Sequence, residues 1–147
     1  MSNHTKKRIL KSVVESIMTY GAEGWTLVEG QKTKILAVEM DGIRRSARVS
    51  RLERRRNEEV RQMMDMEETV VERIERRALQ WYGHVRRMED DRWPKTLLEW
   101  SPSGRRKRGR PRTTWRGEIH RLMNDRGLEE DEWRDRQEWR MGIQGNR

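Results

Sequence analysis

The chain has 147 residues, of which 40% are charged and only 32% hydrophobic, and its net charge at pH 7 is +9. This composition limits the apolar core and favours a polyanionic partner, of which nucleic acid is the usual one. The absence of cysteine excludes disulfides, cysteine-ligated zinc and thiol nucleophiles. No apolar run approaches the roughly 20 residues that span a bilayer, and no signal-peptide core is present, so neither a membrane nor secretion is expected.

Apolar periodicity predicts helices along the first half of the chain. Residues 5–20 are predicted to form an amphipathic helix, since apolar residues recur every three or four positions. Its predicted apolar face comprises Ile9, Val13, Ile17 and Tyr20, with Leu10 and Val14 beside it. A second helix is predicted over residues 31–47, and a short third helix begins with Asn57 as its N-cap. An arginine-rich connection over residues 50–56 joins them.

The clearest predicted helix covers residues 67–88. Its apolar residues alternate at spacings of four and three, which forms a seam for packing against another helix. The seam comprises Val70, Ile74, Ala78, Trp81, Val85 and Met88. Gly83 is the weak point inside this helix, because glycine disfavours a helix interior.

Three further helical segments follow. Pro94 ends the preceding helix but allows a short one through Leu97 and Leu98. Another helix is predicted to begin at residues 113–114 and to stop at Gly127, and a last one to cover residues 129–140. No hairpin signal occurs. We therefore predict an all-α fold of several loosely packed amphipathic helices with a disordered basic loop, divided into a helical segment 1–65 and a C-terminal region 66–147.

The basic loop, residues 104–112, is the most informative segment, because six of its nine residues are basic and Trp100 and Trp115 stand on either side. We predict nucleic-acid contact by Arg105, Arg106, Lys107, Arg108, Gly109, Arg110, Pro111 and Arg112. Their Arg-Gly-Arg-Pro core resembles the AT-hook, whose arginines lie along the minor groove of A·T-rich duplex. That groove is narrow and strongly negative, which attracts guanidinium groups. A nuclear-import signal or a solvated basic loop are the alternatives.

Other candidate side chains have a structural interpretation beside the functional one. Asp90 and Asp91 are predicted to form a surface turn rather than a metal site. His84 is interpreted as a structural histidine beside Trp81, and Trp81 as a core residue of the helical seam. Trp100 and Trp115 could stack on bases, although packing is the leading interpretation. A second basic cluster is solvated by default, with joint phosphate contact as the alternative: Arg51, Arg54, Arg55 and Arg56.

A series of short motifs, in one order, resembles the C-terminal tail of the endonuclease–reverse transcriptase of non-LTR, LINE-type retrotransposons. The resemblance covers the chain from about Thr5 to Trp139. The motifs are Tyr20–Trp25, Glu39–Met40, Ile43–Arg45, Arg56–Val60, Trp81–Met88, Asp90–Arg92, Pro94, Trp100, Arg108–Pro111 and Trp115. Gly24, Gly42 and Ser46 depart from the pattern, and the last two are expected to weaken the second helix. In that family the polymerase metal site and the endonuclease lie upstream, so catalysis does not carry over.

The resemblance and the charge together predict a non-catalytic nucleic-acid-binding fragment. Its partner would be A·T-rich DNA or structured RNA, with no membrane, small-molecule substrate, metal or other cofactor. A nuclear location is expected, with a cytoplasmic one as the alternative. Two other interpretations stay open: a decayed retroelement remnant without biochemical function, and a DNA-architectural protein of the AT-hook type.

Overall fold

The computed structural model describes residues 2–101, Gly109 and residues 113–144. Over these residues the chain is helical and contains no strand, which confirms the all-α prediction. None of their helices combines the length and the apolar character needed to cross a bilayer. The helices are α1 (Asn3–Ile9), α2 (Ser16–Met18), α3 (Glu29–Ala47), α4 (Asn57–Met63), α5 (Val70–Arg86), α6 (Trp93–Glu99), α7 (Trp115–Asp125) and α8 (Arg136–Gly142).

The chain divides into two compact units. The first unit comprises Met1–Ala22 and Leu27–Ile74, and the second comprises Glu23–Thr26 and Glu75–Arg147. The division therefore falls within α5, whose first residues belong to one unit and whose remainder belongs to the other.

The first unit buries two small apolar clusters. One contains methionine and aliphatic side chains from α1 to α4 and their connections: Leu10, Met40, Ile43, Val49, Val60, Met64 and Met66. The other joins the start of α5 to the turn after α2, through Ala22, Val70, Val71 and Ile74. Neither cluster contains a buried aromatic residue, so this unit gains its apolar burial from small and flexible side chains.

Two buried carboxylates also hold the first unit together. Glu39, which is 4% exposed, accepts hydrogen bonds from the Arg61 guanidinium and, at 3.0 Å, from the backbone N–H of Val70. Glu15 is 3% exposed and pairs with Arg73 of α5. Because a buried charge is costly unless it is paired and hydrogen-bonded, these contacts fix how the helices of this unit meet.

The predicted apolar face of the N-terminal helix is wrong. Ile9, Val13, Ile17 and Tyr20 are 45%, 51%, 74% and 86% exposed, whereas Glu15, Thr19 and Leu10, the last of them predicted beside this face, are buried. For Ile17 and Tyr20 the physical reason is a π-helical segment, Leu10–Glu15, between α1 and α2. Its wider turns rotate the following residues away from the 3.6-residue periodicity on which the prediction depends.

The second and third helices were predicted nearly as they occur. Helix α3 begins two residues earlier than predicted, where the Gln31 side chain accepts a hydrogen bond from the Val28 N–H at 3.1 Å, and it continues through Gly42 and Ser46. Asn57 is the first residue of α4 rather than its N-cap. Its side-chain oxygen instead accepts a hydrogen bond from Arg44 at 3.0 Å, which removes it from the capping position.

The second unit has one core, and aromatic residues stand at its centre. Trp139 of α8 is 2% exposed, and its indole N–H donates to the backbone carbonyl of Leu79 at 3.1 Å. Its ring lies 6.1 Å from that of Tyr82. The core comprises Ala78, Leu79, Tyr82, Ile119, Leu122, Met123, Leu128, Trp139 and Ile143.

Gly83 allows the indole of Trp139 to approach α5. A Cβ atom at this position would lie within 3.0 Å of three atoms of the indole ring. Gly83, the predicted weak point of this helix, is therefore the position at which the α5 backbone accommodates the largest side chain of the core. Glycine in a helix interior loses helix propensity but allows such close contact.

Trp81 is not a core residue, contrary to the prediction. It is 42% exposed, and the core-facing side of α5 in this unit is formed by Ala78, Leu79, Tyr82 and Val85. The regular spacing placed Trp81 on the seam. The core is instead centred beside Trp81, because the indole of Trp139 packs against α5 at Gly83.

The last helices of the second unit are capped at predictable residues. Thr114 caps α7 by accepting a hydrogen bond from the Gly117 N–H at 3.1 Å, and Gly127 follows the helix with φ of 66°, as predicted. The single last helix predicted over residues 129–140 is wrong. Asp135 interrupts it, since its carboxylate accepts hydrogen bonds from the N–H groups of Gln137 and Glu138 and begins α8 there.

Candidate nucleic-acid interface

Most of the predicted basic loop lies outside the described residues: Arg105, Arg106, Lys107, Arg108, Arg110, Pro111 and Arg112. Gly109 is described, and it is exposed with φ of 148°, a backbone conformation that L side chains rarely adopt. A residue with a Cβ atom would be strained here, so glycine is the residue that suits this position.

The segment before the loop belongs to the second unit and ends in an exposed tryptophan. Trp100 follows α6 and is 67% exposed, so packing, the leading interpretation from sequence, is wrong for this residue. Helix α6 is attached to α5 by an ion pair between Arg86 and Glu99 at 3.1 Å. Trp93 and Leu97 on α6 are also exposed, at 78% and 66%. The aromatic surface at this end is therefore accessible to solvent and is carried by a helix that an ion pair links to α5.

The segment after the loop is anchored differently. The indole N–H of Trp115 donates to the backbone carbonyl of Glu23 at 2.7 Å, and its ring lies 6.4 Å from that of Tyr82. Trp115 thus packs against the core at the start of α7. Of the two flanking tryptophans, Trp100 is exposed to solvent, whereas the indole N–H of Trp115 already donates a hydrogen bond within the protein.

A shallow depression on α5 escaped the prediction from sequence. It is lined by Glu23, Arg77, Gln80, Trp81 and His84. The half-exposed ring of Trp81 lies 5.6 Å from that of His84, which is itself exposed. The predicted neighbourhood of His84 and Trp81 is confirmed. The useful signal in the sequence was the Trp-x-x-His spacing, which places both rings on one face of a helix.

The acidic pair after α5 forms a surface turn, as predicted. Asp90 and Asp91 are exposed, and Asp90 pairs with Lys95 at 2.6 Å, which holds the pKa of that carboxyl below its ordinary value. Nowhere in the described part of the chain do three or more histidine or acidic residues converge in a way that could hold a metal ion.

Comparison with known proteins supports a transposon-related origin. The chain is similar to a Caenorhabditis elegans protein named as transposon-derived and uncharacterized, with 27% identity over 97% of this chain. The match covers 56% of that protein, so the chain spans little more than half the length of this relative. No protein-family profile and no solved structure matches the chain.

Proposed function

We propose that this chain is a non-catalytic nucleic-acid-binding segment that derives from the C-terminal region of a non-LTR retrotransposon endonuclease–reverse transcriptase. The transposon-derived relative, the ordered series of motifs and the net charge of +9 support this proposal. Its partner would be A·T-rich DNA or structured RNA, without a membrane, a small-molecule substrate or a cofactor. We expect the chain in the nucleus, with the cytoplasm as the alternative.

The observation that carries the proposal is the basic run over residues 104–112. It contains six basic residues and no acidic one. Both flanks belong to the second unit, since Trp100 follows α6 on one side and the Thr114 cap begins α7 on the other. Cations in a segment held at both ends by a folded unit can neutralise several phosphates in one binding event, and phosphate neutralisation dominates nucleic-acid affinity.

Binding to A·T-rich duplex, G·C-rich duplex and structured RNA across a salt series tests this proposal. Counterion release predicts that the log–log slope on duplex DNA changes by about −0.9 per phosphate neutralised. Neutralising all six basic residues should abolish binding. Arg110→Ala should remove any preference for A·T, whereas the matched control Arg140→Ala, on an exposed face of α8, should retain it. Wild-type-like affinity after neutralising all six would overturn the proposal.

The same salt series distinguishes a DNA-architectural protein of the AT-hook type from a general nucleic-acid-binding segment. A steep slope with an A·T preference that Arg110→Ala abolishes favours minor-groove anchoring, because narrow A·T grooves attract guanidinium groups. A steep slope without preference identifies a general nucleic-acid clamp.

A decayed remnant without biochemical function is the other alternative, and the departures at Gly24, Gly42 and Ser46 favour it. This alternative predicts no binding at moderate salt and no cooperative unfolding. A single sharp thermal transition, together with binding, would exclude it.

A further inference from the structure

A second cationic surface lies in the first unit, between α3 and α4. We call it the arginine turn and define it as residues 48–56, which contain five arginines and one glutamate. All five arginines are exposed: Arg48, Arg51, Arg54, Arg55 and Arg56. Two of them have acidic partners, since Arg51 pairs with Asp41 at 3.0 Å and Arg55 with Glu53 at 3.4 Å.

The remaining three arginines have no acidic partner among the residues that the structure describes. In the part of the chain that the structure describes, the side chains of Arg48, Arg54 and Arg56 form neither an ion pair nor a hydrogen bond. An arginine offers five N–H donors in a fixed fork, which suits phosphate oxygens. The turn therefore presents three complete sets of donors to solvent.

The backbone of the turn is unusual for arginine. Arg48 has φ of 60° and ψ of 35°, and Arg54 has φ of 51° and ψ of 24°, both in the left-handed region. Glycine or asparagine adopts this region with less strain. Neither arginine compensates with a side-chain hydrogen bond or ion pair in the described structure, so stability alone does not account for arginine at these positions. Strain of this kind is found preferentially at functional sites.

Helix dipoles explain only part of the charge. Arg48 follows the C-terminus of α3, where positive charge is favourable. Arg54 and Arg56 immediately precede α4, at the end where positive charge is unfavourable. Their position acts against the stability of that helix, so folding does not account for them.

The turn is also held in place. Arg44 donates to the backbone carbonyl of Arg55 at 2.7 Å, and Glu53 accepts a hydrogen bond from the Ser50 N–H at 2.7 Å. Val49 is buried in the apolar cluster of the first unit. Since the backbone is fixed before a ligand arrives, less ordering is needed on binding.

We propose that the arginine turn is a second nucleic-acid contact, which binds the sugar–phosphate backbone through Arg48, Arg54 and Arg56 without reading the base sequence. The inference rests on the proposed function and adds a contact on the other compact unit. Phosphate contacts position a nucleic acid and bind it in a salt-dependent manner, whereas base contacts provide specificity. The two surfaces therefore make distinguishable contributions. The arginine turn should contribute affinity that does not depend on the base sequence, and the basic loop should contribute any A·T preference.

The first test is a triple variant of the full chain, with Arg48, Arg54 and Arg56 changed to Gln. If each arginine neutralises one phosphate, the log–log salt slope on duplex DNA should become shallower by about 2.7, with any A·T preference unchanged. The matched control removes the same charge from exposed positions elsewhere, by changing Lys34, Arg136 and Arg140 to Gln. If the slope of the triple variant equals that of the control, the inference is overturned.

A second variant separates binding from folding. Arg48→Gly with Arg54→Gly removes two cations and also relieves the left-handed strain. This double variant should have a higher Tm than wild type and a salt slope shallower by about 1.8. Greater stability with weaker binding cannot result from misfolding, and greater stability with wild-type binding would overturn the inference.

Comparison with the variant neutralised at all six basic residues of 104–112 distinguishes the two proposals. If that variant loses all binding and the arginine-turn variants match their control, the proposed function stands and the inference fails. If it retains a salt-dependent, unselective component that the triple variant removes, the inference stands and the basic loop is not the main contact. Absence of binding by the wild-type chain would overturn both.

Discussion

In the first unit, the buried apolar residues are small or flexible, such as Val60, Met64 and Met66, and the carboxylates of Glu15 and Glu39 are buried among the helices. In the second unit the core is centred on Tyr82 and Trp139, with a glycine making room for the indole. The first unit thus depends on paired charges where the second depends on aromatic area. A chain with only 32% hydrophobic residues thus stabilises its two units by different means.

This contrast has a consequence for the surface. The first unit leaves Ile9, Val13, Ile17 and Tyr20 exposed, whereas it buries the carboxylate of Glu15. Buried ion pairs specify a geometry but contribute less net stability than well-packed apolar groups of similar volume. We therefore expect the second unit to be the more stable of the two.

The largest effect is expected from removing the aromatic centre of the second unit. Trp139→Ala should destabilise this unit by about 3–5 kcal/mol, the usual cost of truncating a buried tryptophan. Hydrogen exchange should show lost protection in α7 and in the later part of α5. Trp93→Ala is the matched control, because that side chain is 78% exposed and should tolerate truncation. Equal effects of the two variants would contradict an aromatic-centred core.

A comparable change in the first unit removes a buried charge. Glu39→Ala leaves the Arg61 guanidinium and the Val70 N–H without their shared acceptor. Breaking a buried pair in this way costs about 3–5 kcal/mol, and the lower end is expected because the Arg61 side chain is 13% exposed. Denaturant unfolding with hydrogen exchange at α4 measures the loss. Glu59→Ala, on the exposed face of α4, serves as the control.

A smaller effect is expected from filling the groove on α5. Gly83→Ala introduces a Cβ atom into the space of the Trp139 indole. Overpacking costs about 1–3 kcal/mol and alanine recovers about 1 kcal/mol of helix propensity, which leaves a modest net loss. Gly30→Ala in α3 meets no atom within 4 Å and should be neutral or stabilising. A Tm for Gly83→Ala at or above that of Gly30→Ala would show that the indole moves away easily.

The smallest effect concerns the cap of α8. The N–H groups of Glu138 and Gln137 lower the pKa of Asp135 in the folded chain. The carboxylate therefore stabilises the helix fully at pH values above the pKa that Asp135 has in the unfolded chain. That stabilisation should be lost as the pH falls below the ordinary value of 3.8 and through the lowered pKa of the folded chain. Asparagine also caps helices, so Asp135→Asn should retain α8 and remove this acid dependence. Amide exchange of Gln137 and Glu138 against pH measures it, with Asp91→Asn as the control.

Local signals predicted much of the helical framework. The threonine cap of α7, the stop at Gly127 and the short helix α6 around Pro94 each depend on one residue and its neighbours, so the sequence alone indicates them. The division of the last helix at Asp135 was equally local but was missed, because the charge pattern over residues 129–140 is consistent with one helix.

The candidate interface was predictable in composition but not in arrangement. Six basic residues, the charge of +9 and the flanking tryptophans are visible in the sequence. The anchor of the partly buried Trp115 was not, since its indole donates to the backbone carbonyl of Glu23, which is 92 residues away. The left-handed backbone of Arg48 and Arg54 could not be predicted either, because glycine is the residue that usually adopts this conformation.

The sequence by itself determined the all-helical class and the excess of positive charge, because periodicity, capping and composition act over a few residues. Only the tertiary structure decided which faces are buried. A π-helical segment turned Ile17 and Tyr20 outward, and the indole of Trp139 packs at Gly83 while Trp81 stays at the surface. Burial depends on partners that are distant in the chain, and no local pattern identifies them.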